Sequence, residues 1–354
     1  MQILIAFLVT FLITPVVIKL AKKYGLVDNP RQRLHPAHTH KGTIPRAGGL
    51  AIYLGLIIAI LFLPINKALA GILVGATIVV IIGLWDDKQD LSPYFRFLTN
   101  FLAAMVVVGA GVGIPYITNP LGGVLRLDSV RLTFTFMGSH SILLWADIFA
   151  VVWIVWCMNM VNWSKGVDGQ MPGFVAISAL TLGFLSLRYS AHDLSQTTVT
   201  ALAFITAATF LGFLPWNFYP QKIMPGYSGG ALAGFLLGVL SILSWGKLGT
   251  AILVLGVPMI DAFYTFSRRI IQGNSPFLGD RGHLHHRLLD LGWGKRRIAL
   301  FYWLVSAILG IIALSLNSRG KLFVIILLAV IVGGLLLWLN LFSLYLKQPD
   351  RDNG

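Results

Sequence analysis

The chain has 354 residues, 56% of them hydrophobic and 11% charged, with a mean hydropathy of +0.80. Soluble domains carry roughly 25% charged residues, so a disordered chain, a collagen-like repeat and an ordinary cytosolic enzyme are excluded, and a polytopic membrane protein is indicated. Lys and Arg number 27 against 13 acids, a net charge of +14. All thirteen acids are Asp, so acidic chemistry draws on a short list. A basic excess suits anionic lipid or phosphorylated substrates; nucleic acid is not expected as a partner. The single cysteine, Cys157, lies in an apolar stretch, and no intrachain disulfide can form.

Eleven apolar segments are predicted as membrane helices: 1–21, 47–65, 68–85, 97–115, 142–160, 172–187, 197–215, 229–245, 248–267, 298–316 and 321–346. The first lacks a basic n-region and a small-residue cleavage site, and is expected to be retained rather than removed. The expected fold is all-α, a single integral-membrane domain over 1–346 with a cytoplasmic tail at 347–354. Lys and Arg in alternate connections number 19 on one side and 7 on the other. The positive-inside rule then puts the N-terminus outside and the C-terminus in the cytoplasm. In one outer connection Leu125, Leu127, Val130, Leu132, Phe134 and Phe136 alternate with polar residues around Asp128-Ser129, which predicts a small external β-hairpin.

The polar motifs gather on the cytoplasmic side. Arg46 stands before Ala47-Gly48-Gly49 at the mouth of the second segment, downstream of Asp28, Pro30, Arg33 and His35. The third segment ends in Asp86-Asp87; adjacent carboxylates there must be hydrated, paired or metal-bound. The fifth runs into Asn159-Met160-Val161-Asn162, then Lys165, Asp168 and Gly169, with Asn159 and Asn162 on one helical face. Their amides suit a hard cation or a sugar, and equally a polar helix cap. Asn217 follows the seventh segment, and Pro225-Gly226-Tyr227-Ser228-Gly229-Gly230 opens the eighth as a glycine-rich loop entering a helix. Arg268-Arg269 and Asp280-Arg281-Gly282-His283-Leu284-His285-His286-Arg287 occupy the largest cytoplasmic connection. Arg and His together suit a pyrophosphate; the His spacing is too tight for one tetrahedral zinc ion.

In this order the motifs resemble those of the polyprenyl-phosphate N-acetylhexosamine-1-phosphate transferases, the WecA/TagO/MraY-like enzymes. The likeness covers Asp28 to Leu288, through D-x-P-x-x-R-x-H, PRAGGLAI, the Asp86-Asp87 pair, GFLPWNF and DRGHLHHRL. It implies transfer of a sugar 1-phosphate, N-acetylglucosamine 1-phosphate above all, from a UDP-sugar to polyprenyl phosphate for cell-envelope glycans, with release of UMP. It also implies Mg²⁺, a homodimer by analogy, and a multi-pass place in the bacterial cytoplasmic membrane. Carried over by position, Asp86, Asp87, Asp168 and His283 form the catalytic set, to which Lys165 is added on its own chemistry. Substrate binding falls to Arg46, Asn159, Asn217, Arg281, His285, His286 and Arg287, and Asn162 lies beside the metal.

Two positions depart from the family pattern. Lys165 replaces an aspartate, and Tyr227 replaces the aspartate that resembles the main Mg²⁺ ligand. A neutral phenol is a poor ligand for a hard cation, which weighs against the Mg²⁺ that the resemblance implies, and Lys165 is expected to take over part of its electrostatic role. The alternative reading is a catalytically degenerate member that binds polyprenyl phosphate or a UDP-sugar as a partner or regulator. A transporter is disfavoured because the polar motifs sit at one face rather than at the midplane.

Overall fold

The structure is a computed structural model that describes residues 1–31, 39–40, 42–135, 139–191, 193, 195–244, 248–275 and 280–345. Arg33, His35, Phe136, the 276–279 stretch and the expected tail at 347–354 lie outside the described residues.

The chain runs α1 (Gln2–Tyr24), β1 (Val27–Asp28), β2 (Ile44–Pro45), α2 (Gly48–Ile60), α3 (Lys67–Gln89) and α4 (Pro93–Gly109). Four short strands follow: β3 (Tyr116–Thr118), β4 (Val124–Arg126), β5 (Arg131–Thr135) and β6 (Ser139–Leu143). Then come α5 (Leu144–Trp163), α6 (Gln170–Leu187), α7 (Ser195–Asn217), α8 (Gly226–Leu243), α9 (Leu248–Val254), α10 (Gly256–Ile271), α11 (Leu284–Asp290), α12 (Lys295–Ser315) and α13 (Ser318–Tyr345). Each of the eleven expected apolar segments is helical. Among the described residues eight helices are long and apolar enough to cross a membrane, and α9 with α10, bent by 84°, makes a ninth. The two shorter apolar helices are α2 and α4.

Burial sorts the helices. In α8, 94% of the apolar window is buried, against 22% in α1 and 17% in α13. So α8 is the axis of the bundle, with α2, α3 and α5 packed on it, while α1 and α13 present their leucines and isoleucines outward to lipid. Small residues let the backbones meet. A Cβ on Gly83 would strike the Ser228 backbone, and one on Gly49 would strike Ser228 and Gly229. This close approach fixes the ends of α2, α3 and α8 against one another.

The loop before α2 is tied into the same joint. β1 pairs antiparallel with β2, the Arg46 N–H donates to the Leu26 carbonyl (2.8 Å), and the Met224 N–H donates to Pro45 (2.8 Å). The Gly48 and Gly49 N–H groups, orphans of the α2 N-terminus, donate to Met224 and Pro225 carbonyls. Asn66 caps α3 through its side chain, accepting from the Leu69 N–H at 2.8 Å.

The expected hairpin around Asp128-Ser129 is corrected. Two hairpins flank that point: β3 pairs with β4, and β5 with β6. Gly122 and Gly123 have positive φ and turn the first hairpin at a place the alternating pattern does not mark. Both hairpins stand where α4 ends and α5 begins, the opposite end of these helices from Asp90 and Trp163.

A cation-lined cleft as the candidate active site

A cavity of about 460 Å³ opens at the end of the bundle where α3 ends and α4 and α8 begin. One wall carries Arg46, Arg96, Lys165 and Tyr227; the facing wall carries Arg269, His283, His285 and His286.

The Asp86-Asp87 pair lies beneath the first wall, with side chains 0% exposed. Asp87 is saturated. It accepts the Tyr227 N–H (2.6 Å), the Ser228 N–H (3.2 Å) and the Ser228 hydroxyl (2.6 Å), and pairs with Arg46 Nε (3.1 Å). Gly226, at φ 74°, brings the α8 N-terminus onto this carboxylate, and a Cβ there would collide with it. Asp86 pairs with Arg46 (3.4 Å) and Arg96 (3.3 Å) and accepts the Leu91 N–H (3.0 Å). The two carboxylates therefore anchor two arginines whose outer ends face the cavity.

Tyr227 does more than fill the place of an acid. Its hydroxyl donates to Asn100 Oδ1 at 3.0 Å. The Arg96 guanidinium lies 5.2 Å from its ring centroid and Lys165 Nζ lies 6.0 Å away, both within cation–π range. Lys165 also donates to the Gly226 carbonyl at 2.6 Å. Burial and the neighbouring Arg46 charge pull the Lys165 amine down to about 7.

The facing wall is clamped by α10. Asp261, Thr265 and Arg269 are spaced i, i+4, i+8 and all buried, so they form one polar stripe. Asp261 holds His283 Nδ1 at 3.0 Å and accepts the Leu284 N–H at 2.8 Å. Arg269 and Arg268 pair with Asp280 at 3.0 and 2.7 Å. Burial alone would raise the Asp280 carboxyl, but the Arg269 and Gly282 hydrogen bonds and the two arginine charges outweigh it and hold it down at about 2. Burial and then the Arg281 charge lower His286 to about 4, and burial with the neighbouring His286 and His283 pulls His285 well below the usual imidazole range. Both are neutral at pH 7, and their Nδ1 atoms are buried with no partner among the described residues.

The other expected residues lie away from the cavity. Asp168 pairs with Lys295 (2.9 Å) and accepts the Gln221 N–H (3.1 Å), so it reaches the cleft only through Gln221. Asn217 accepts the Gly169 N–H and donates to Gln221 and to the Ile223 carbonyl, holding two loops together. The Asn159 amide donates back to the Val155 carbonyl of its own helix. Arg281 pairs with Asp290, and Arg287 donates to Asn340. Arg96 and Gln221 line the cavity from outside the sequence motifs. A lone arginine three residues past Pro93, opening an otherwise apolar helix, was the signal for the former.

The donor set does not fit Mg²⁺, which demands near-octahedral oxygens, usually including a carboxylate. Asp86 and Asp87 are committed to arginines, the Gly226 carbonyl to Lys165 and the Tyr227 hydroxyl to Asn100. Asn162 Oδ1 is buried without a partner, but it is a single neutral donor. Among the described residues no group of three His, Cys or Asp side chains could hold an ion.

Fold and cleft together define a polytopic membrane protein with a cation-lined cleft at one end of its bundle. The sequence pattern of glycosyl transferase family 4 matches residues 69–245. The chain is 31% identical to a Bacillus subtilis (strain 168) protein named probable undecaprenyl-phosphate N-acetylglucosaminyl 1-phosphate transferase, over 98% of this chain and 89% of the relative. It is 32% identical to the decaprenyl-phosphate N-acetylglucosaminephosphotransferase of Mycobacterium leprae (strain TN), over 85% and 79%. It is 29% identical to the undecaprenyl-phosphate alpha-N-acetylglucosaminyl 1-phosphate transferase of Escherichia coli (strain K12), over 82% and 76%. The chain belongs to glycosyl transferase family 4 and is an enzyme of that family.

Proposed function

We propose that the protein transfers N-acetylglucosamine 1-phosphate from UDP-N-acetylglucosamine to a polyprenyl phosphate. An oxygen of the lipid phosphate bonds to the phosphorus that carries the sugar. The bond from that phosphorus to the bridging oxygen breaks, and UMP leaves with the electron pair. The products are polyprenyl-pyrophosphoryl-sugar and UMP. Such a transfer is mostly positioning and charge neutralisation. The observation that carries the reading is the convergence of Arg46, Arg96 and Lys165 on one wall with Arg269 and the histidines opposite, in a cavity at the end of a membrane bundle. A soluble nucleotide and a membrane lipid can meet there. Asp86 and Asp87 act as positioning groups that hold the arginines, and Asp261 holds His283.

The cleft faces the cytoplasm, with the N-terminus outside and both hairpins on the outer surface of a bacterial cytoplasmic membrane. The excess of Lys and Arg on the cleft side supports this orientation. The test of the reaction is UMP release by purified protein in detergent given UDP-N-acetylglucosamine and undecaprenyl phosphate. Release requiring both substrates is expected. Thermal stabilisation by either ligand with no UMP, across several UDP-sugars, would leave a binding protein instead.

A further inference from the structure

We infer that the cleft binds the diphosphate of its sugar nucleotide through a cation platform built on Tyr227, with no divalent metal. The inference rests on the transferase reading for the identity of the ligand, but not for the existence of the site.

Four observations meet at one point. The Tyr227 ring has a guanidinium and an amine within cation–π reach, Arg96 at 5.2 Å and Lys165 at 6.0 Å. Both cations line the cavity, and so does Arg46. The charges are only partly neutralised from below: Asp86 and Asp87 answer Arg46 and Arg96, while Lys165 Nζ rests on a neutral carbonyl, that of Gly226. On this wall the Asp86 and Asp87 carboxylates, the Gly226 carbonyl and the Tyr227 hydroxyl are already committed.

Each part has a physical role. Three clustered cations repel one another, and a ring face lets two of them approach because the π cloud is negative there. Arg offers a fork of donors to phosphate oxygens, and Lys offers a point charge. A diphosphate with one negative charge on each phosphate meets the surplus cation. A divalent ion placed in the same space would face three positive side chains, with Asp86 and Asp87 already paired to arginines, which makes it a repelled guest rather than a resident. Tyr227 and Lys165 are thus one coupled replacement, in which a phenol supplies the platform and an amine the charge.

The experiment uses the full-length protein in detergent. Binding of UDP-N-acetylglucosamine and of inorganic pyrophosphate, the latter blind to the sugar, is measured with Mg²⁺ and with EDTA, alongside UMP release. The expected result is binding and release unchanged by EDTA. Lys165→Ala should weaken both ligands about tenfold or more, the loss for one charge-assisted contact, and Lys165→Arg should recover part of it. Tyr227→Leu, which removes the ring, should weaken binding more than Tyr227→Phe, which keeps it. The paired change Lys165→Asp with Tyr227→Asp should make binding depend on Mg²⁺. Binding or UMP release by the unaltered protein that vanishes in EDTA overturns the inference. Absence of UMP with pyrophosphate still bound in EDTA overturns the transferase reading and supports the platform.

Discussion

Lys165 is where chemistry and pH meet. Burial above all, then the Arg46 and Arg96 charges, push its proton off, and Asp87 and Asp86 draw it on. Tyr227 and the Gly226 carbonyl complete its surroundings. With the amine at about 7, a bound anion selects the protonated form, so affinity must fall as pH rises. The phosphates of UDP-N-acetylglucosamine keep their charge across this range, so the slope reports on the protein's own groups, Lys165 among them. Its dissociation constant is expected to be flat below pH 7 and to climb by up to about tenfold per unit above it; Lys165→Arg, always charged, should abolish the climb. Asp87 makes a stability prediction. Asp87→Ala leaves Arg46 with Asp86 as its remaining carboxylate and strands two N–H groups in a buried joint, a loss of about 3 kcal/mol, to be read as a lowered melting temperature. How these residues would act was only partly legible. The motifs marked Arg46, Lys165, His283, His285 and His286 as neighbours of a phosphate, and all line the cavity. Asp168 carried the same family mark, yet it is spent on Lys295, a residue 127 positions away that no local pattern connects to it.

Elements meet here through missing side chains. Gly83 and Gly49 let α3 and α2 touch α8 at Ser228, which in turn orients the Asp87 carboxylate. Gly83→Ala should force α3 off α8, cost about 1–3 kcal/mol by overpacking, and depress UMP release without touching any group that faces the cavity. A thermal shift and the transferase assay, read together, check it. Apolar run length located the eleven helical segments, because a span must be long and oily wherever it packs. It did not locate the 84° break at Leu255, since the hydrophobic run continues straight through it. That break matters: it turns α10 so that Asp261, Thr265 and Arg269 meet the histidine loop. Asp261→Ala should release His283 and the Leu284 N–H, and increase proteolysis within 280–290 relative to the unaltered protein. The hairpins were misplaced for a related reason. Strand alternation sets which face a residue takes, but the turn is set by backbone sign at Gly122 and Gly123.

At the scale of the molecule, orientation is open to a direct test. Cys157 is buried, so the native chain should not react with an impermeant maleimide. Asp128→Cys should label in intact cells, and Arg296→Cys only after the membrane is opened; the reverse pattern would invert the proposed topology. The bundle also shows how a polar site is lodged in a greasy fold. Its axis, α8, is almost wholly buried, yet it carries the peptide groups that receive Asp87. The four charges beneath the cleft have a consequence for biosynthesis. Arg46, Asp86, Asp87 and Arg96 sum to zero, and all lie in the first third of the chain, so the ribosome makes Arg46 before the two aspartates and Arg96 soon after them. This four-residue cluster can therefore leave the translocon electrically balanced within itself. Lys165 is added later, once a place for it has begun to form.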